Sequence, residues 1–403
     1  MNETVAMREQ FQSDPYLYFE QYRKYGPIHY GQFFGIPKIV VTGFEETEAL
    51  FKDSRFIKEY RRVVPPEQRV EIPERVQPVI YLMNNMMLFR DAPDHTRLRQ
   101  LVTKAFTPRM VDKLRPLIEE LADELLNTRK GENEHELIRD FSYYLPVVVI
   151  AELIGVPKED RGYFRKWADA FVTFIDFNTD MKELEDVSDD IKDSGEYFRF
   201  LIQKRRTEPK DDLISGLIAV EESGDVLNED EMVATCLLLM IAGHETTVNL
   251  ITNGYYTLLK HPEQLKSLQN DLSFIPNAIE EILRYEPPVL MTSRVVAEDL
   301  EFYGKHFKKA EEVMLVLGAA NRDPRLYDNP NEFDITRKNI KHLSFASGPH
   351  FCLGAPLARL EAQIALEKLV TRFKEPLLSE EPQWRDNIVF RGFKALHLKA
   401  EVL

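Results

Sequence analysis

Cysteine is nearly missing from this chain. Cys236 and Cys352 are the only two in 403 residues, which excludes a disulfide framework and fits a reducing compartment. No long Pro/Gly/Ser tract, low-complexity run or fixed-period repeat occurs. The 23 prolines are scattered as punctuation between short elements, so residues 1–403 are expected to form a single domain despite their number. The N-terminal stretch MNETVAMREQFQSDPYLYFEQYRKYGP is charged and amphipathic. It lacks the basic-then-apolar pattern of a signal peptide, and no continuous apolar span reaches about 18 residues. A cytoplasmic protein without a membrane anchor is expected. Positive charge is scarce as well: 52 bases stand against 67 acids, a net −15. That excludes nucleic acid and anionic membrane surfaces as partners and leaves any basic face local.

What is present is apolar material, 44% of the chain, enough for a large core. From Pro27, IHYGQFFGIPKIVVTG reads as two strands around a turn at Gly35–Pro37, followed by a short helix in FEETEALF. Helical periodicity then dominates. In TPRMVDKLRPLIEELADELLN, Val111, Leu114, Leu117, Ile118, Leu121 and Leu125 share a face, with Thr107 as cap before Pro108. LPVVVIAELIGVPKED is a helix stopped by Gly155 and Pro157, and DDLISGLIAVEESG a shorter one closed by glycine. From Asn228 through Lys260 the pattern is apolar nearly all round in its middle, the mark of a helix in the centre of a large protein. Short β-like pieces follow Arg284 (TSRVVAE, LEFYG, EEVMLVLGA), and APLARLEAQIALEKLVTRF returns to helix. The class is mainly α with small β-sheets.

One of the two thiols sits in FASGPHFCLG. Gly348 and Gly354 clear side chains from around Cys352, so a flat ligand or close backbone could approach the sulfur. Pro356 opens a helix whose N-terminus points back at the thiol and favours the thiolate, a metal ligand or a nucleophile. The plain alternative is a buried structural cysteine. Zinc would need four ligands, and only His350 and His342 lie near. A nucleophile would need a base, which His350 could supply. Neither reading uses the glycines, whereas a haem iron with one axial thiolate uses all of these features.

Three further constellations stand out. In LLLMIAGHETTVN, Leu238, Leu239, Ala242, Gly243 and Thr246 fall on one helical stripe. Ala242 and Gly243 leave room there for a flat cofactor and a diatomic, while Glu245 and Thr246 supply an acid and an alcohol for proton relay. The competing reading bonds Thr246 to its own backbone. A zinc-protease reading of His244-Glu245 fails on Val248, and His244 reads as a polar neighbour. Glu281 and Arg284 can pair across one helical turn, ordinarily on a solvated face. His95 and Arg99 share a face one turn apart.

These residues resemble the cytochrome P450 family. Phe345, Gly348, His350, Cys352, Gly354 and Leu357-Ala358-Arg359 are similar to its haem-ligand loop, with Ala346 where a glycine is common. Ala242 to Thr246 resemble its oxygen-binding motif, and Glu281/Arg284 its buried Glu-x-x-Arg pair. The His95/Arg99 stretch resembles its propionate-binding helix. A Lys-Gly turn of the family is altered here to Lys308-Lys309-Ala310. The resemblance runs from Pro15 to the C-terminus and implies the family's triangular, mainly helical fold and haem b (iron protoporphyrin IX) ligated by Cys352.

It further implies that His95, Arg99, Arg294 and His350 hold the propionates, that Thr246 hydrogen-bonds dioxygen, and that Glu245 helps deliver protons. The implied reaction inserts one oxygen atom into a C–H bond, with electrons from separate proteins, a ferredoxin or flavodoxin with its reductase, acting on a monomer. Basic residues Arg337, Lys338 and Lys341 before the haem loop are the expected docking patch. A peroxide-driven haem hydroxylase and a non-catalytic haem sensor are the alternatives. The acid–alcohol pair argues against the first, and an apolar cavity lining against the second. Substrate contacts are expected from Met86, Met87, Phe171, Phe174, Leu238, Val289, Leu290 and Phe390, with Met83 completing an adaptable methionine wall. They suit a large lipophilic substrate: a fatty acyl chain, a macrolide or polyketide, or a steroid-like molecule. MMLFRDAPDHTRLR and AGHETTVNLITN resemble the branch acting on fatty acyl groups.

Overall fold

The computed structural model describes residues 11–33, 36–176, 179–222 and 227–403. Gly35 of the expected turn, Phe177 of FVTFIDF and the glycine closing DDLISGLIAVEESG lie outside the described residues. The helices, in order, are α1 Pro15–Arg23, α2 Phe44–Lys52, α3 Gln77–Asn84, α4 Asp94–Ala105, α5 Pro108–Asn127, α6 Tyr144–Ile154 and α7 Phe164–Ile175. They continue as α8 Met181–Thr207, α9 Leu213–Glu222, α10 Glu229–Lys260, α11 Pro262–Asn270, α12 Ile275–Tyr285, α13 Leu317–Ala320 and α14 Ala355–Arg372.

Local chemistry sets their ends. Thr107 accepts from the Met110 N–H and caps α5, whose Val111, Leu114, Ile118, Ala122 and Leu126 are buried. Leu117, Leu121 and Leu125, expected on the same face, pack at its margin. Gly155 ends α6 in the left-handed conformation, φ 99°. Asn228 and Glu231 form a reciprocal capping box at the start of α10.

That helix is the axis of the molecule. Among the described residues it alone is long and apolar enough to cross a membrane, and its apolar stretch is mostly enclosed by protein, in contact with α6, α7, α8, α12 and α14. Packing on α6 is close: a Cβ at Gly243 would lie 2.8 Å from Ile150 Cδ1. Glycine there lets two helices approach, so its small size serves helix packing as well as the cavity described below.

The strands are β1 Ile28–Phe33, β2 Ile36–Val41, β3 Phe56–Ile57, β4 Glu134–Glu136, β5 Met291–Val296, β6 Leu300–Phe302, β7 Lys305–Phe307, β8 Glu312–Val316, β9 Phe373–Leu378 and β10 His397–Val402. They form a five-stranded sheet in the order β1-β2-β8-β5-β3, a three-stranded sheet β4-β10-β9 and the hairpin β6-β7. The β2–β8 pair is parallel; the β8–β5 and β5–β3 pairs are antiparallel. The altered turn before β8 keeps its left-handed residue: Ala310 has φ 69° and donates its N–H to Val296 O at 2.8 Å. The chain accepts there the ~1–2 kcal/mol that a Cβ costs in this conformation.

Candidate active site

The loop carrying Cys352 is held by main-chain contacts. Asn321 Oδ1 accepts the Leu343 N–H at 2.7 Å, Ser344 Oγ donates to Leu283 O at 2.6 Å, and the Cys352 N–H closes on Phe345 O at 2.9 Å. Ala346, at the position where a glycine is common, has φ 57°. The left-handed backbone is the physical reason for that glycine, and alanine occupies it with modest strain. Gly348 is obligatory: φ is 67° and a Cβ would stand 2.6 Å from Phe51 O. Gly354 caps α14, with Pro356 in its first turn. Arg359 lies 4.6 Å over the Phe345 ring and donates to both oxygens of Glu280 at 2.7 and 2.9 Å. Burial works against ionisation of Glu280, but Arg359 and His342 outweigh it and hold the carboxyl down to about 2.

Opposing influences act on the thiol. Backbone N–H groups of Gly354 and Ala355, with Arg99 and Arg359, favour the thiolate, but burial dominates and raises the Cys352 pKa above the ordinary thiol value. A metal cation held at the sulfur would add to the groups that favour the thiolate.

Cys352 faces a cavity of about 280 Å³, well beyond the small voids of an ordinary core. Ala242, Gly243 and Thr246 of α10 line it, as do His95 and Arg99 of α4, Arg294 of β5, and His350. The sequence-predicted cofactor residues thus converge on one space. One edge of it is cationic. His95 and His350 lie ring against ring, tilted by 39°, with centroids 4.1 Å apart. Arg294, 3% exposed, donates among the described residues only to Ser293 O at 2.8 Å and sits 5.0 Å over the Phe51 ring. Among the described residues no carboxylate lies in ion-pair reach of Arg99 or Arg294. Burial, then Arg294 and the other neighbouring cations, push His350 down to about 2; burial lowers Arg294 to about 10. An apolar slot with a thiol on one wall and unneutralised guanidinium groups at its edge fits a flat metal macrocycle bearing two carboxylates.

On α10 the alcohol and the acid part company. Thr246 is in the cavity wall and donates to Ala242 O at 2.8 Å, the backbone bond of the competing reading. Its lone pairs stay free to accept. Glu245 is 3% exposed and lies behind the wall, where it takes Arg385 Nη1 at 2.6 Å and Asn249 Nδ2 at 3.2 Å. Burial raises its pKa, with Arg385 and Asn249 opposing. His244 is buried against the Tyr143 ring, 4.9 Å away, and burial lowers it to about 3; it is the polar neighbour expected.

Of the expected substrate contacts, Met87, Leu238 and Val289 line the cavity. The rest do not. Met83, Met86 and Phe171 are packed into the helical core and Leu290 into a second cluster beside the sheet; Phe174 packs at the core margin. Phe390 faces Val289 through an isolated antiparallel bridge. Apolar identity alone does not separate a wall from a core. The sequence reading missed Arg385, Lys58 and Glu361. Glu361 is a cavity-lining acid on α14 whose carboxyl is held well above the ordinary range by burial. No local motif marks these three.

The remaining pair is buried. Glu281 and Arg284 are both 0% exposed and joined by two 2.7 Å bonds. Arg337 bonds Glu281 and three main-chain carbonyls, so it is internal structure and leaves the docking patch to Lys338 and Lys341.

A family model described as Cytochrome P450 matches residues 5–390. The biotin biosynthesis cytochrome P450 of Bacillus subtilis (strain 168) is 44% identical over 390 residues, 96% of this chain and 95% of that protein. The polyketide biosynthesis cytochrome P450 PksS of the same organism is 38% identical, covering 96% of each. A crystal structure of P450BioI in complex with hexadec-9Z-enoic acid ligated acyl carrier protein superimposes with a TM-score of 0.92 at 42% identity, over 98% of this chain and 100% of that one.

Proposed function

This chain belongs to the cytochrome P450 family and is a haem-thiolate monooxygenase with Cys352 as the iron ligand; from that premise we propose that it hydroxylates a long fatty acyl chain, free or carried on an acyl carrier protein. When bound, the haem supplies the oxidising chemistry: one atom of dioxygen enters a C–H bond and the other leaves as water, consuming two electrons and two protons. The protein's own residues bind, orient and move protons. The observation that carries the substrate reading is the cavity lining, where Met87, Leu88, Leu238, Leu239, Leu250 and Val289 outnumber the hydroxyls of Thr246, Thr247, Thr292 and Ser344. Such a surface holds a chain by area and shape. The similarity to an acyl-carrier-protein-bound relative supports the acyl choice.

The test is a titration of the haem protein with hexadecenoic acid, the same acyl group on carrier protein, a macrolide and a steroid, followed by the shift in the haem absorption band. Products are then weighed by mass spectrometry. A saturable shift and a gain of one oxygen with the acyl ligands is expected; response to the macrolide or steroid alone would overturn the assignment.

His95, Arg99, Arg294 and His350 hold the haem carboxylates in this reading, and Thr246 positions a proton for oxygen reduction. Glu245 reaches that task only by leaving Arg385. Thr246→Ala is therefore expected to keep substrate binding within about twofold and to divert most electrons into hydrogen peroxide, a loss of coupling of about tenfold, less than the ~10²–10⁴-fold that a positioned acid or base typically supplies. Unchanged coupling, measured as product per electron pair, would remove Thr246 from the relay.

Electrons arrive from a ferredoxin or flavodoxin with its reductase. Lys338 and Lys341 are exposed and make no ion pair among the described residues, so they remain free for an acidic partner. Lys338→Glu with Lys341→Glu is expected to slow reduction about tenfold at low salt, with the deficit shrinking as salt rises. Equal rates and equal salt slopes in stopped-flow reduction would exclude this face. The free thiols Cys236 and Cys352 fit a cytoplasmic setting.

A further inference from the structure

Strand β3 is two residues long, and its register places the next residue with unusual definition. Phe56 pairs with Val296 and Ile57 with Val295, antiparallel, so the following position, Lys58, comes opposite Arg294. Residues opposite one another in an antiparallel pair share a face of the sheet, and Thr292, two positions from Arg294, shares it too. The side chains follow that geometry. Lys58 Nζ donates to Thr292 Oγ1 at 3.0 Å, and Lys58, Thr292 and Arg294 all line the cavity.

Two cations facing one another across a sheet destabilise it unless an anion intervenes. Among the described residues, none does. The neighbouring acids are engaged elsewhere: Asp91 receives the backbone N–H groups of Lys58 and Glu59 at 2.9 and 2.8 Å, and Glu312 is paired with Lys38. Burial first, then Arg294, pushes the Lys58 ammonium well below the usual lysine range, with Asp91 and Glu312 offsetting only part. The charge count points the same way. Lys58, Arg99 and Arg294 place three cationic side chains on the cavity, each without a carboxylate in ion-pair reach among the described residues.

We propose that Lys58, steered by the Thr292 hydroxyl, is a carboxylate-binding residue of this pocket. The carboxylate has two possible sources of the same chemistry, a haem propionate or the acid end of a fatty substrate. The second source rests on the acyl reading above; the first requires only haem.

Lys58→Met removes the charge at similar length, and Lys58→Arg keeps it. Haem release to excess apomyoglobin and the reduction potential report on the propionate. Binding of hexadecenoic acid against its methyl ester reports on the substrate. If Lys58 holds a propionate, Lys58→Met releases haem about tenfold faster or more, as loss of a hydrogen bond to a charged group predicts, with Lys58→Arg restoring most of the retention. If it holds the substrate, haem release is unchanged, the Kd for the acid rises about tenfold, and the ester is unaffected. Either result supports the assignment. Haem release and acid affinity both within twofold of the parent, in Lys58→Met with a normal circular dichroism spectrum, overturn it. A parent protein that ignores fatty acids while Lys58→Met sheds haem would defeat the acyl reading and leave this one standing.

Discussion

Replacing Cys352 with alanine abolishes the long-wavelength absorption band that the reduced, carbon-monoxide-treated protein shows when a thiolate is its axial ligand, and with it all turnover. The effect is complete because no other side chain can take the position. Cys236 is 0% exposed inside α10, and burial drives its thiol far above the ordinary range. His342 is committed to Glu280, and His350 is packed on His95 at the cationic edge. The loop nevertheless survives the change. Its shape rests on Asn321, Ser344 and the main-chain bond from Cys352 N to Phe345 O, none of which uses the sulfur. The variant is therefore expected to show normal far-ultraviolet circular dichroism and little or no retained haem. A thiolate-type band surviving in Cys352→Ala would place the ligand elsewhere.

What could be seen in the amino-acid order, and what could not, divides along the range of the interactions. The Thr107 cap, the Gly155 stop and the Asn228–Glu231 box act within four residues, so they are readable as written. The loop around Cys352 is equally local. Ala346 and Ala310 show the limit of that reading, because a glycine preference is visible while the left-handed backbone behind it is not. Glu245 and Arg385 meet 140 positions apart, and Lys58 meets Thr292 across 234; neither pairing leaves a trace in spacing. Phe171 and Leu238 are both apolar residues on helices, yet one faces the core and the other the cavity. Only the packing of α7 and α10 separates them. At Cys352 the helix N-terminus that favours the thiolate is legible in the order of residues, whereas the burial that opposes it is a property of the whole fold.

Arg284→Leu is expected to cost ~3–5 kcal/mol, the penalty for orphaning one partner of a buried ion pair, and to leave little folded, haem-loaded protein. Every donor of Arg284 is used. Nε and Nη2 meet Glu281 at 2.7 Å, Nη1 donates to Pro330 O at 2.7 Å and Asn321 O at 3.4 Å, and Nη2 donates also to Glu332 O at 2.9 Å. Glu281 in turn accepts the Asp334 N–H at 3.0 Å. The pair thereby pins the 321–334 segment to α12, and Asn321 within that segment holds the start of the Cys352 loop. Its influence on haem is transmitted through those carbonyls. Against a typical domain stability of ~5–15 kcal/mol, such a loss is a large fraction. Lysine cannot substitute well, since a single ammonium cannot satisfy a bidentate carboxylate and three carbonyls at once. The double variant Glu281→Leu/Arg284→Leu separates charge from scaffold. With no orphan carboxylate it should lose less than the sum of its parts, but Pro330 O still lacks a donor and the Asp334 N–H its acceptor, so haem retention should stay below the parent's. Measured by denaturant unfolding and haem content, a double variant as stable as the parent would mean that the pair serves only itself; one as damaged as Arg284→Leu would mean that the carbonyls, not the carboxylate, carry most of the cost.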